Sequence, residues 1–193
     1  TQEYFEKFNR EKVLKYLIEI DDPVIFDVGS NDGVSILQFK QIWPKSTIHC
    51  FEPQHECWES LDQLANQYSE IIVNKFAAGE ITEKDKEFYT HDLNSGISGF
   101  NKINLKSKDS IDLNKIISED KPLKNYSETI NHPRKVMVKN LDEYINENNI
   151  KRINLLKLDT QSFEIDILKG LGKSLSIIDI IISEVKFYDY YEK

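Results

Sequence analysis

This chain is poor in the residues that mark several protein classes. It has two cysteines in 193 residues, Cys50 and Cys57. Two cysteines cannot make a disulfide framework, so a reduced, cytoplasmic setting is the default. No apolar run approaches the roughly 20 residues of a membrane span. Lysine and arginine total 25 against 33 aspartates and glutamates, a formal net charge of −8. That balance argues against non-specific nucleic-acid binding, which needs clustered basic side chains on one face. There is no internal repeat and no low-complexity tract, so a solenoid is not expected. No secretory leader is visible. The first residue is Thr1 and not Met, which fits a piece of a longer protein and gives that absence little weight.

What is present is a globular composition, 39 % hydrophobic and 30 % charged, in a length that suits about one domain. Glycine is scarce, yet two glycines fall together in VIFDVGSNDG, residues 24–33. The apolar run Val24-Ile25-Phe26 reaches Asp27. Gly29 and Gly33 follow, then an amphipathic stretch from Val34 to Ile42. That order predicts buried strand, tight loop and helix, the cofactor-binding turn of a doubly wound sheet. The dinucleotide fingerprint G-x-G-x-x-G is incomplete, because Asn31 stands where the middle glycine would sit. A pyrophosphate needs close backbone approach there, so the loop suits a cofactor without phosphates, such as S-adenosyl-L-methionine.

The remaining periodicities predict strands alternating with helices. A helix is expected over Glu3 to Ile20, ended by Asp21-Asp22-Pro23, ahead of a main domain over residues 21–193. Strands are expected at Thr47 to Phe51, Ile71 to Lys75, Lys135 to Lys139 and Ile153 to Leu158, with a minor one at Lys86 to Thr90. Helices are expected at Glu56 to Tyr68, at Leu141 to Asn149 with Asn140 and Glu143 as a capping pair, and at Phe163 to Leu175 with Ser162 as cap. His91 to His132 reads as a long, polar excursion. Ile177 to Val185 reads as a last strand buried on both faces. The fold class is therefore α/β, a doubly wound, mostly parallel sheet.

Ligands in such sheets sit outside the carboxyl ends of the strands. Glu52 closes the second strand, where an acid can accept hydrogen bonds from both hydroxyls of a ribose; its plain alternative is an exposed acid before Pro53. The glycine loop presents N–H groups at a helix start, which attract a carboxylate as readily as a phosphate. Ser30 lies inside that loop and is counted with it. Asp27 can hold an ammonium group. Asp159 ends LLKLD and is either a helix cap or a reactive acid; with Ser162 as the better cap, Asp159 is left for chemistry. Glu164 falls in the first helical turn, where the helix dipole favours an acid in any case. Glu184 follows an apolar strand and needs a partner or a ligand. His49, Cys50, His55 and Cys57 have the wrong spacing for a zinc site, and no metal is expected.

The ordered set DVGSNDG, FEP, NKFAA, NSGISGF, VKNLDEYI, LLKLDTQSFEIDILKG and ISEV resembles the FkbM family of S-adenosylmethionine-dependent methyltransferases over roughly residues 20–185. The resemblance implies a class I methyltransferase fold and O-methylation of a hydroxyl on a sugar, glycolipid or polyketide. It implies that Asp27, Gly29, Asn31, Gly33 and Glu52 bind the cofactor, with Ala77 near the adenine. Asp159 and Glu164 match the acids of the family's K-x-D-x-x-G-x-E segment. Ser162 departs from the family's glycine. The strands that normally follow the fifth are missing, so either the protein continues past Lys193 or the last strand pairs with a second copy of the chain.

A methyltransferase mostly aligns an oxygen with an activated methyl and removes a proton. Asp159 is the first candidate base and His91, at the mouth of the excursion, the second; Glu184 is the third candidate catalytic residue. Asn94 to Phe100 is expected to cover the cofactor or touch the acceptor, a small molecule or glycan. The rival readings are a non-catalytic module with this fold and a nicotinamide-dependent oxidoreductase.

Overall fold

The computed structural model describes residues 9–92, 94–108, 110–111, 126–185 and 190–192. Five parallel strands form the central sheet in the order β3-β2-β1-β7-β8. They are β1 Val24–Val28, β2 Thr47–Phe51, β3 Ile71–Asn74, β7 Leu155–Leu158 and β8 Ile181–Ser183. The chain runs outward from β1 to β3, then crosses back to β7 beside β1. The order therefore reverses between β1 and β7, where a crevice opens at the carboxyl edge. The expected doubly wound, mostly parallel sheet is the architecture found.

Period-two alternation explains why both faces are covered. On β1 and β2, Ile25, Ile48 and Cys50 point into one core, while Phe26, Val28 and Phe51 point into the other. The first core is closed by α1 Arg10–Leu17, α2 Val34–Ile42 and α3 His55–Gln67, through Leu14, Ile36, Phe39 and Leu61. The second is closed by α4 Leu141–Glu147 and α5 Glu164–Leu171, through Leu141, Tyr144, Ile167 and Leu171. His49 faces the second core. Its Nδ1 lies 2.7 Å from the Tyr144 hydroxyl, and burial lowers its pKa to about 4. No helix among the described residues is long and apolar enough to cross a membrane.

A second, three-stranded sheet has the order β4-β6-β5, from β4 Ala77–Gly79, β5 Glu83–Thr90 and β6 His132–Asn140. β5 and β6 are longer than their sequence patterns predict. They pair antiparallel around an irregularity between Glu83 and Lys86, where Asp85 takes φ 58°. One side of this ribbon faces water, so charged side chains interrupt the apolar signal. Asn140 caps α4 as expected by accepting from the Glu143 N–H at 3.0 Å. The reciprocal arm differs: Thr82 Oγ accepts from the Asn140 N–H and donates to the Glu143 carboxylate.

Three other expectations are corrected. The helix expected over Glu3 to Ile20 ends sooner. Residues 3–8 lie outside the described residues, and the described part ends at Leu17, because Ile18 leaves helical geometry while its side chain enters the core. The helix ending at Leu175 stops instead at Leu171, and residues Gly172–Ile177 form a 3-10 turn. The buried strand over Ile177 to Val185 is only three residues long, Ile181–Ser183. It hydrogen-bonds to β7 alone among the described residues, with Ile181 41 % and Val185 64 % exposed. The isoleucines of 177–185 divide between the two cores, Ile180 and Ile182 against α1–α3 and Ile177 and Ile178 against the core under α4 and α5.

Candidate functional site

The carboxyl ends of β1, β2 and β7 meet at an open cleft, the place where sheets of this order bind ligands. Val28, Gly29 and Asn31 form its β1 edge, Phe51 to Gln54 its β2 edge, and Asp159 to Gln161 its β7 edge. Ala77, Ala78 and Phe88 come from the small sheet, and Ser95, Gly96, Ser98 and Phe100 from the start of the excursion.

Gly29 is required by close approach. It has φ +79°, and a Cβ there would sit 1.9 Å from the Asp159 carbonyl oxygen. The β1 and β7 loops are thus in backbone contact at the floor of the cleft. Asn31 also takes a left-handed conformation, φ 48°, which asparagine tolerates better than most residues. Its N–H donates to Glu52 Oε2 at 2.8 Å, and its Oδ1 accepts from Ser95 Oγ at 2.7 Å. The glycine loop, the β2 acid and the excursion are therefore tied together at one residue.

Glu52 is 3 % exposed and lies on the cleft wall. Its Oε1 accepts from the Gln54 N–H at 2.9 Å and from the Gln54 side chain at 3.2 Å. A carboxylate has about four acceptor sites, so Oε2 keeps capacity for a hydroxyl donor from the cleft. Burial pushes the Glu52 pKa above the usual carboxylate value, against the opposing donation from Gln54 and Asn31. Ser98 Oγ is a second unfilled polar group. It is buried, has no hydrogen-bond partner, and its residue lines the cleft.

Of the residues singled out from sequence, Gly29, Asn31, Glu52, Ala77 and Asp159 reach the wall. So do Ser95, Gly96, Ser98 and Phe100 of the segment expected to cover it, whereas Asp27, Ser30, Gly33, His91, Glu164 and Glu184 do not line it. Asp27 is fully buried, with Ser35 Oγ donating to Oδ2 at 2.5 Å and Lys157 Nζ 3.0 Å from Oδ1. Burial favours a neutral Lys157, but Asp27 and then Asp159, 3.6 Å away, outweigh it and raise the lysine's pKa. Ser30 turns inward to donate to the Asp27 carbonyl at 2.7 Å. Gly33, φ +90°, packs against Leu64 and Leu61 of α3. His91 is buried and accepts from the Asn131 N–H at 3.1 Å. Burial, with His132 nearby, lowers its pKa to about 4 against Asp92 and the Ile97 backbone. Glu184 is exposed and accepts from the Gln161 side chain at 3.2 Å.

Ser162 does not cap α5. It and Gln161 both take positive φ, 75° and 57°, and the N-cap position falls to Phe163 without a side-chain bond. The turn is closed by Glu164, which accepts from the Thr160 N–H at 2.9 Å and its hydroxyl at 3.1 Å. Sequence reasoning missed Lys157 and Gln54; Ser98 fell inside the Asn94 to Phe100 segment expected at the cleft, and Gln161 beside Asp159 was given no role of its own. Lys157 had a signal, since aligning LLKL with VIFDV sets it directly across from Asp27. Among the described residues no group of three or more His, Cys, Asp or Glu side chains could hold a metal ion.

A reversed strand order, a glycine turn and a buried acid ending the neighbouring strand define the class of doubly wound proteins that bind a ligand at the carboxyl edge. The chain belongs to the FkbM methyltransferase family: the model of the methyltransferase FkbM domain matches residues 27–193. It is 29 % identical over 171 residues to "Methyltransferase 1" of Beauveria bassiana, covering 86 % of this chain and 65 % of that protein. It is 27 % identical over 184 residues to the "2-O-methyltransferase NoeI" of Sinorhizobium fredii, covering 91 % of this chain and 68 % of that one. The crystal structure of methyltransferase FkbM from Methylobacillus flagellatus shares the fold, with TM-score 0.53 at 17 % identity, over 91 % of this chain and 37 % of that chain. The chain thus spans about two thirds of the length of these two curated relatives.

Proposed function

We propose that this methyltransferase uses S-adenosyl-L-methionine to O-methylate a hydroxyl of a sugar, glycolipid or other small biosynthetic product. The observation that carries the reading is Glu52, a buried carboxylate with acceptor capacity left on the cleft side. A buried anion is costly unless donors surround it, and a neutral ribose diol supplies two. The residues fit this cofactor. Glu52 would hold the ribose, Pro53, Ala77 and Ala78 would offer apolar surface to the adenine, and Gly29 and Asn31 would border the methionine end.

When bound, the cofactor supplies an activated methyl group on a sulfonium. The chain's own residues do the rest. Asp159 ends β7 on the wall and is partly exposed, so it can take the hydroxyl proton and later release it to water. Lys157 keeps a positive charge beside Asp27 and Asp159 and fixes both carboxylates. Phe88 and Phe100, whose ring centroids are 5.2 Å apart, give the acceptor side an apolar wall that excludes water. The relative named a 2-O-methyltransferase supports oxygen as the acceptor atom. Two free, buried cysteines suit a reducing, cytoplasmic setting.

Glu52→Ala is expected to weaken S-adenosylhomocysteine binding by about 1–3 kcal/mol, since the Asn31 and Gln54 N–H groups and the ligand hydroxyls all lose their acceptor. The pH dependence has a fixed sign. Ligand hydroxyls bind the ionised form of Glu52, and its pKa is raised, so wild-type affinity should begin to fall on acidification before an ordinary carboxylate titrates. Calorimetry on both proteins across that range is the check. Equal affinity in the alanine variant would remove Glu52 from the site.

A further inference from the structure

The side chain of Gln161 sits between two carboxylates and a phenol. Its Nε2 donates to Asp159 Oδ1 at 3.0 Å and to Glu184 Oε2 at 3.2 Å, and its Oε1 accepts from the Tyr191 hydroxyl at 2.7 Å. The polarity of this chain of bonds is forced. Ionised carboxylates only accept, so the amide NH2 must face them. The amide oxygen is then left for the phenol, whose single proton is directed to the nearer of two acceptors, Gln161 Oε1 at 2.7 Å against the Ile97 carbonyl at 3.0 Å. Gln161 and Tyr191 are both buried, at 7 % and 6 % exposed. Gln161 also holds φ 57°, a conformation that costs a non-glycine residue energy and persists only where the surroundings impose it.

Tyr191 is itself anchored on the excursion. It bridges Ile103 in antiparallel fashion and packs with Ile103 and Ile130. The flanking Tyr190 carbonyl accepts from the Asn104 N–H at 2.8 Å, and the Glu192 N–H donates to the Lys102 carbonyl at 2.7 Å. The Tyr191 hydroxyl also lies 3.0 Å from the Ile97 carbonyl, beside the cleft-lining turn.

We infer that Gln161, held by Tyr191, is a positioning residue that aims Asp159 for proton removal from the acceptor. This rests on the reading of Asp159 as the base. One amide proton fixes the rotation of Asp159 and stabilises its anion, and the other ties that carboxylate to Glu184. Among the described residues the charged and titratable groups around Asp159 are Lys157 on its own strand, Asp27 across it on β1, Glu184 beyond β8, Glu164 on α5 and the Tyr191 phenol. Because Tyr191 is seated on residues 97–104, the segment that walls the acceptor side also sets the geometry of the base.

The test uses Gln161→Met and Tyr191→Phe, with two readouts. Methionine keeps the bulk of Gln161 and removes the donor. Phenylalanine keeps the ring packing on Ile103 and Ile130, so both variants should fold. Losing a donor to a carboxylate makes protonation easier. The acid limb of turnover against pH is therefore expected to move up by about one pH unit in Gln161→Met, and kcat to fall about tenfold or more. S-adenosylhomocysteine affinity should stay within about twofold, because Gln161 acts on the acceptor side of Asp159. The second readout is NMR of the Gln161 NH2 in the ligand-free protein. Its two protons should be shifted downfield and slow to exchange in the wild type, and lose both properties in Tyr191→Phe. An unmoved acid limb, or an NH2 pair at the ordinary position in the wild type, would overturn the inference. If Asp159→Asn left turnover intact, the base reading would fall by itself, and the NH2 signature would still decide whether the clamp exists.

Discussion

Gly29→Ala is expected to destabilise the protein by about 3 kcal/mol or more and to abolish ligand binding. Two penalties add. A left-handed alanine costs roughly 1–2 kcal/mol, and forcing a methyl into a filled site costs about 1–3 kcal/mol. The second penalty is severe here because the obstacle is backbone. The new Cβ would lie 1.9 Å from the Asp159 carbonyl oxygen and 2.9 Å from its carbon. Relief requires the β1 and β7 loops to separate, which moves Asp159 away from Asn31 and Glu52. Gly33 is the internal comparison. Its φ is also positive, but its Cβ would meet the Leu64 methyl at 2.4 Å, the end of a flexible side chain. Gly33→Ala should therefore cost less and spare the cleft. Urea unfolding of both variants separates the cases; equal losses would mean that close approach at Gly29 is not what holds the two loops together.

Asp159→Asn is expected to lower turnover by about 10²–10⁴-fold, the usual contribution of a general base. The fold should survive, because the side chain is 39 % exposed and asparagine keeps its size and its acceptor oxygen for Gln161. Most of the cofactor affinity should survive as well, since the ribose acceptor is Glu52 on the other wall. Turnover within a few-fold of wild type on the true acceptor would make Asp159 a spacer between the β7 loop and Lys157.

The parts legible from sequence were those set by local rules. β1, its glycine turn and α2 follow from an apolar run, a glycine pair and a helical period within 24–42, and the fold has them there. Glu52 was found because an acid ending the second strand has a place in any sheet of this order. The rest depended on long-range pairing. β5 carries EKDKE on a half-solvated ribbon whose partner lies beyond the excursion, so its charge hid its length. β8 read as a long central strand because isoleucine enrichment records packing, here on both cores from the turn before it and the strand itself, and not how many neighbours a strand has. Ser162 read as a cap on residue type, but two successive left-handed residues turned it away from the helix start. Asp27 read as a ligand contact on position, yet the lysine that neutralises it comes from β7 across the sheet. Nothing local announces that Tyr191 returns to Gln161.

The most direct measurement is a calorimetric titration of the unaltered chain with S-adenosylhomocysteine, and with NADH in parallel. The account predicts saturable binding of S-adenosylhomocysteine at one site per chain and no heat from NADH. Tight binding of NADH with none of S-adenosylhomocysteine would contradict it.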